Sequence, residues 1–209
     1  MNNPEIYSLF SKVVYINHIK NIDCTKIIKS IGNEFIKAVD NTKKDVNNIS
    51  MSSISKNILE KKKYVFLKKI VLEQFNIFNK EVLKYKNNFR ITNSWFTKVF
   101  PSQESNYHSH DNTMFSGVIY LQTNENSGDI NFIDFSNHRY KLEVEEYNIY
   151  NSRDMSFKPK NGLIVIFPSD LNHKILTNNS SDIRYSLAFN LNPYGHINNK
   201  DCDSYLYIK

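Results

Sequence analysis

Three of the six histidines have company that could do chemistry. His108 and His110 stand in Asn106-Tyr-His-Ser-His-Asp111, and His173 closes Phe167-Pro-Ser-Asp-Leu-Asn-His173. On an extended segment residues i and i+2 point the same way, so His108 and His110 can present both imidazoles to one point. A third ligand from a distant strand would complete a facial set on a divalent metal and leave positions open for substrates. The competing reading is two surface histidines at a strand end and one satisfied core histidine, and spacing alone does not separate the two.

Positioning such a set requires strands, and the hydrophobic pattern changes to period two at residue 89. Strands are predicted at Arg90–Phe100, Met114–Leu121, Asp129–Asp134, Leu163–Phe167, His173–Thr177 and Arg184–Leu191, separated by polar turns such as Asn124-Glu-Asn-Ser-Gly128. Short strands without intervening helices exclude a parallel α/β sheet and fit an antiparallel sandwich or small barrel with helices packed outside. Upstream, Lys12–Ile16 predicts an opening strand, and Asn21 or Asp23 caps a helix with Ile27, Ile31, Phe35 and Val39 on one face. Asn41–Ser53 reads as a loop. Ile58, Phe66, Ile70, Ile77, Phe78, Val82 and Tyr85 then predict a second, longer helix, with Lys61-Lys62-Lys63 on its solvated face. The expected organisation is one α+β domain over 1–209: a mainly helical segment over residues 1–88, a β core over 89–193 and a C-terminal tail over 194–209.

Composition agrees with a folded globular chain: 209 residues, 40% hydrophobic, 13% aromatic, 5 Gly and 5 Pro. The net charge of +6 comes from the first half, where basic residues outnumber acidic ones 17 to 8 in residues 1–90. Much of that excess is Lys in a chain also rich in Asn and Ile, a bias AT-rich coding produces, so it is discounted as a sign of nucleic-acid binding. Cys24 and Cys202 lack the spacing of a zinc ribbon or disulfide scaffold. No basic region followed by an apolar run opens the chain, and no apolar stretch of membrane-spanning length occurs. The expectation is a soluble, cytoplasmic protein with no membrane partner and an oligomeric state the sequence does not specify.

The order of features after each histidine carries a resemblance. His-x-His is followed by Ser116-Gly-Val-Ile-Tyr-Leu121 and Gly128-Asp-Ile-Asn-Phe132, and His173 by Arg184-Tyr-Ser-Leu-Ala-Phe-Asn190. This order resembles the double-stranded β-helix (jelly-roll, cupin-like) core of the iron(II)- and 2-oxoglutarate-dependent oxygenases. With Leu9-Phe10 and Trp95, the chain from about Ile6 to Asn192 is similar to a group of these oxygenases found in marine bacteria and their phages.

The resemblance implies an Fe(II) site with His108 as first and His173 as distal ligand, and 2-oxoglutarate as cosubstrate. It makes Arg184 and Ser186 the clamp for the 2-oxoglutarate C5 carboxylate, with Tyr120 where prolyl-hydroxylase-like relatives place a tyrosine that also reaches it. The physical case agrees, since a guanidinium binds a carboxylate bidentately and a hydroxyl two residues along the same strand faces the same pocket.

The departure is at the second ligand, where the superfamily has a carboxylate and this chain has His110. Either the site holds three histidines or Asp111 supplies the carboxylate through a shifted strand. The i+2 direction favours His110. The implied activity is hydroxylation of a small-molecule or peptide substrate with O2, yielding succinate and CO2. Two rivals stand beside it: a three-histidine cupin dioxygenase that does not use 2-oxoglutarate, and a non-catalytic jelly-roll binding module. Residues 135–160, with Arg139, Tyr140, Tyr147, Tyr150 and Arg153, form a candidate lid or an ordinary surface hairpin.

Overall fold

Residues 4–35, 50–136 and 142–209 are described in the computed structural model; Val39, Arg139, Tyr140 and positions 41–49 of the expected loop lie outside them. In chain order the elements are β1 (Tyr15–His18), α1 (Cys24–Ile31), β2 (Met51–Ser52), α2 (Val65–Phe78), β3 (Asn88–Val99), β4 (Phe115–Gln122), β5 (Ile130–Ile133), β6 (Asp154–Phe157), β7 (Leu163–Pro168), β8 (Asn172–Ile175), β9 (Arg184–Ile197) and β10 (Leu206–Ile208).

The strands form two antiparallel sheets. The larger runs β1-β7-β4-β9-β3-β2, with β10 paired to the far end of β9, and the smaller runs β6-β5-β8. Two facing antiparallel sheets with the helices on one side give the jelly-roll of a double-stranded β-helix. Period-two alternation sorts each central strand. From β4 and β9, Phe115, Ile119, Leu121, Leu187, Phe189 and Leu191 face the helices, where they pack with Ile27, Ile31, Leu67, Val71, Phe75 and Phe78. The opposite face carries Val118, Tyr120, Val165 and Phe167 against Ile130 and Phe132 of the smaller sheet. Each fully buried aliphatic or aromatic side chain contributes about 1.5–3 kcal/mol. Gly117 belongs to this packing: the Phe189 ring occupies the space where its Cβ would lie.

Several local expectations need correction. The opening strand is Tyr15–His18, a few residues beyond Lys12–Ile16, because its register is set by pairing with β7. Asp23 is the helix cap, its Oδ1 accepting from Lys26 N at 2.9 Å. The second helix is shorter than its stripe: Ile58 lies in a separate 3-10 turn (Ile58–Glu60), and Asn79–Leu83 is a wide π turn. Its buried face is Leu67, Val71, Phe75 and Phe78, while Phe66, Ile77, Val82 and Tyr85 are exposed. This helix is apolar on most sides, so periodicity alone admits more than one stripe and the sheet selects the face. Met51 and Ser52, expected as loop, pair with Lys98 and Thr97. Within residues 135–160, β6 pairs with β5 and belongs to the smaller sheet. Strand β9 runs on past Asn192 and Pro193 to Ile197, and β10 folds back onto it. No described helix is long and apolar enough to cross a membrane.

Candidate metal centre

His108 lies outside the regular strands yet is locked opposite His173 by two backbone bonds, His108 N to His173 O at 3.0 Å and His173 N to His108 O at 2.9 Å. Ser109 is exposed, and His110 turns back to the side of His108. The His110 N–H donates to Ser169 O at 2.9 Å, in the turn between β7 and β8. The ligand-capable atoms of all three imidazoles come within 4.8 Å of one another. Ring centroids are 4.4 Å apart for His108 and His173, 5.1 Å for His108 and His110, and 5.2 Å for His110 and His173. Asp111 is exposed and does not belong to this cluster.

The hydrogen bonds set the tautomers of two rings. His108 Nδ1 lies 2.9 Å from Asn106 O and His173 Nδ1 lies 2.9 Å from Leu171 O. A carbonyl oxygen accepts only, so each Nδ1 carries the proton and each Nε2 keeps a lone pair for a cation. Burial, reinforced by the neighbouring imidazoles, lowers the pKa of His173 to about 3. Burial and the charge of His108 lower that of His110 to about 4, against an opposing pull from Asp111. Both rings are therefore neutral and ligand-competent at neutral pH. The apolar wall behind the depression is Phe132 and Phe167 beside His173, at centroid distances of 5.9 and 4.7 Å, and Trp95 beside His110 at 5.8 Å.

Arg184, Ser186 and Tyr120 are brought together on the interior face of the larger sheet. Tyr120 and Ser186 are direct cross-strand partners, and the Arg184 guanidinium carbon sits 4.9 Å from the Tyr120 ring centroid. A register shift between Tyr120 and Gln122 in the β4–β9 pairing falls beside them, a place where bulges commonly re-aim side chains. Arg184 is 1% exposed, and one terminal nitrogen donates to Gly128 O at 2.6 Å and, more weakly, to Ser127 O at 3.4 Å. Among the described residues three buried side-chain polar atoms have no hydrogen-bond partner, and two of them are Arg184 Nε and Tyr120 OH. Burial holds the Tyr120 phenol up at about 12, partly opposed by the Arg184 charge, so its O–H remains a donor. Burial also pulls the Arg184 pKa down from its ordinary value. The Tyr120 hydroxyl and the Nε of the buried Arg184 guanidinium are two orphaned donors side by side, and they fit an incoming carboxylate.

Sequence reasoning treats Asn124–Gly128 as a spacer turn, yet its carbonyls seat Arg184. The available signal is Gly128, whose positive φ of 82° and lack of a Cβ, which would collide with Leu176 O, mark a turn with a fixed shape. Tyr107 is a second residue that the sequence does not single out. Its hydroxyl donates to Asn131 Oδ1 at 2.7 Å, and Asn131 Nδ2 donates to Asp154 Oδ2 at 2.8 Å and Ser156 Oγ at 2.9 Å, which ties the histidine segment to β5 and β6. A cleft of about 420 Å³ adjoins this region and is lined by Phe132, Phe135, Ile149, Arg153, Leu171 and Asn172, among others. Tyr147 and Tyr150 of the expected lid are exposed.

Comparison with solved structures bears on the fold. A prolyl-4-hydroxylase from Pseudomonas putida is 13% identical, with a TM-score of 0.56 over 90% of this chain and 96% of that one. A prolyl hydroxylase from Trichoplax adhaerens, solved with a hypoxia inducible factor peptide fragment, is 16% identical, with a TM-score of 0.57 over 85% and 82%. HygX from Streptomyces hygroscopicus, solved with nickel, 2-oxoglutarate and hygromycin B, is 10% identical, with a TM-score of 0.55 over 87% and 82%. These likenesses establish the fold as that of the double-stranded β-helix oxygenases. Residues 93–190, which hold all three histidines and Arg184, match the family described as "Putative 2OG-Fe(II) oxygenase". No curated protein sequence matches the chain.

Proposed function

We propose that the protein uses iron(II) held by His108, His110 and His173, grips the C5 carboxylate of 2-oxoglutarate with Arg184, Ser186 and Tyr120, and hydroxylates a peptide or small-molecule substrate with O2. The observation that carries this reading is the pair of orphaned buried donors, Arg184 Nε and Tyr120 OH. A three-histidine cupin without 2-oxoglutarate has no use for a fully buried arginine whose Nε is left without a hydrogen-bond partner. A binding module has no use for three converging imidazoles.

Bound iron and 2-oxoglutarate would together supply oxygen activation, coupled to conversion of the cosubstrate to succinate and CO2. The chain supplies the rest. Asn106 O and Leu171 O hold the Nδ1 protons of His108 and His173 and so direct both Nε2 lone pairs inward. Phe132 and Phe167 shield the His173 ring from water, and Trp95 covers one side of the His110 ring. Arg184, already anchored by Gly128 O, offers Nε to the carboxylate, and Tyr120 donates its phenolic proton, which its raised pKa keeps in place. The substrate class draws support from the Trichoplax protein, solved with a peptide fragment, and from HygX, solved with hygromycin B. The cleft lined by Phe132, Leu171 and Asn172 is the proposed place for such a substrate, although none of the three histidines lines it.

Anaerobic titration of the iron(II) protein with 2-oxoglutarate tests the reading, because chelation of iron(II) by a 2-oxo acid gives a visible charge-transfer band. The wild type is expected to develop it. Tight iron binding with no band would assign the site to the cupin alternative, and no metal binding would leave only the binding module.

A further inference from the structure

Three polar residues buried in the jelly-roll interior have no role in the site as described. Ser116 on β4, Ser169 in the β7–β8 turn and Asn190 on β9 are 2%, 1% and 8% exposed. Ser116 Oγ donates to Asn190 Oδ1 at 2.9 Å and lies 2.8 Å from Ser169 Oγ. Because the Ser116 proton is committed to Asn190, the Ser169 hydroxyl donates to Ser116, and the chain runs Ser169 to Ser116 to Asn190. Burying three polar side chains where apolar ones would fit gains little net stability, so what the network fixes is geometry.

The geometry it fixes is that of the turn joining the two sheets. This turn supplies two supports of the histidine cluster: Ser169 O accepts the His110 N–H, and Leu171 O accepts the His173 Nδ1 proton. The dependence of the rings on it differs. His173 lies in the β8 ladder with β5, and His108 is held by the two-bond bridge to His173. His110 sits in no strand, and its N–H hangs from the turn. We propose that the Ser169–Ser116–Asn190 network is the positioning device for His110, clamping the β7–β8 turn to β4 and β9 so that the His110 ring reaches the other two imidazoles. The inference rests on the reading of His110 as a metal ligand. The three network residues are positioning residues, acting on the metal only through His110.

Cobalt(II) binding to the full chain under anaerobic conditions tests this, with the d–d absorption spectrum reporting ligand number. His110→Ala is the reference and should bind cobalt more weakly with an altered spectrum. Ser116→Ala, Ser169→Ala and Asn190→Leu should each weaken cobalt binding by roughly 10-fold to 100-fold, the range seen for residues that orient metal ligands. Their spectra should move toward that of His110→Ala. Combined with His110→Ala, the network variants should add no further loss, because the device then has nothing to position. The same loss in both backgrounds, or an unchanged spectrum in every soluble network variant, would overturn the proposal while leaving the ligand reading intact. Wild-type cobalt binding by His110→Ala itself would instead overturn the ligand reading. If Asn190→Leu does not fold, the two serine substitutions, each removing only a hydroxyl, carry the same comparison.

Discussion

Replacing Arg184 by Met should move two measurements in opposite directions. The Arg184 guanidinium is buried, its Nε has no partner in the protein and its anchor is the pair of carbonyls at Gly128 and Ser127. A buried donor left unsatisfied costs about 1–3 kcal/mol, and the substitution relieves that cost at Nε together with the desolvation of the charge, against the loss of one donor to the Gly128 carbonyl. Arg184→Met should therefore leave the apo protein at least as stable as wild type by chemical denaturation. Binding of 2-oxoglutarate should collapse, since losing one member of a buried charge pair costs about 3–5 kcal/mol. At about 1.4 kcal/mol per tenfold, the dissociation constant should rise by roughly 100-fold to 3,000-fold. Arg184→Lys should recover little, because an ammonium lacks the bidentate fork. Tyr120→Phe and Ser186→Ala each remove one neutral hydrogen bond and should cost about 0.5–1.5 kcal/mol. The assay is anaerobic calorimetry on the manganese form, with manganese affinity measured alongside to show that the triad is untouched. Equal 2-oxoglutarate binding by wild type and Arg184→Met would refute the reasoning.

His110→Ala should reduce iron content in elemental analysis, while Asp111→Ala should leave it near wild type; the reverse pattern would make Asp111 the ligand. Metal-free protein should lose stability on acidification. The His173 pKa is about 3 in the fold against an ordinary value of 6.5, so the unfolded chain takes up a proton that the native state refuses. The His173 contribution is complete above pH 6.5 and falls as the pH drops toward 3, with a slope of up to about 1.4 kcal/mol per pH unit. Denaturation at a series of pH values should show that slope flattened in His173→Leu. Gly128→Ala forces a Cβ onto the Leu176 carbonyl at positive φ, which should cost at least about 1–2 kcal/mol in denaturation and also weaken 2-oxoglutarate binding, since Gly128 O seats Arg184.

The strands that bear the site are legible in the sequence as short apolar runs bounded by polar turns, and β4 and β7 are buried on both faces, between the helices and the smaller sheet. Arg184, Ser186 and Asn190 share one face of β9 by period two, and His108 and His110 share a side by the same rule. The distal partner is legible only by resemblance, since nothing local in Leu171-Asn-His173 says that β8 will lie opposite His108. The face of α2 is ambiguous because Phe66, Ile70 and Ile77 form as regular a stripe as Leu67, Val71 and Phe78, and only the sheet chooses between them. The strands β2, β6 and β10 escape sequence reasoning because they are two to four residues long and owe their existence to a neighbouring edge. The seat of Arg184 is hidden because carbonyls of a turn leave no mark in side-chain chemistry beyond Gly128.

The central claim, that this fold couples iron to 2-oxoglutarate, is tested most directly by following succinate. With iron(II), O2 and 2-oxoglutarate, the wild-type protein should form succinate slowly even without its substrate, and His173→Ala should form none above the protein-free background. Iron-loaded wild type that forms no more succinate than His173→Ala, and that shows no 2-oxoglutarate binding, would contradict the account.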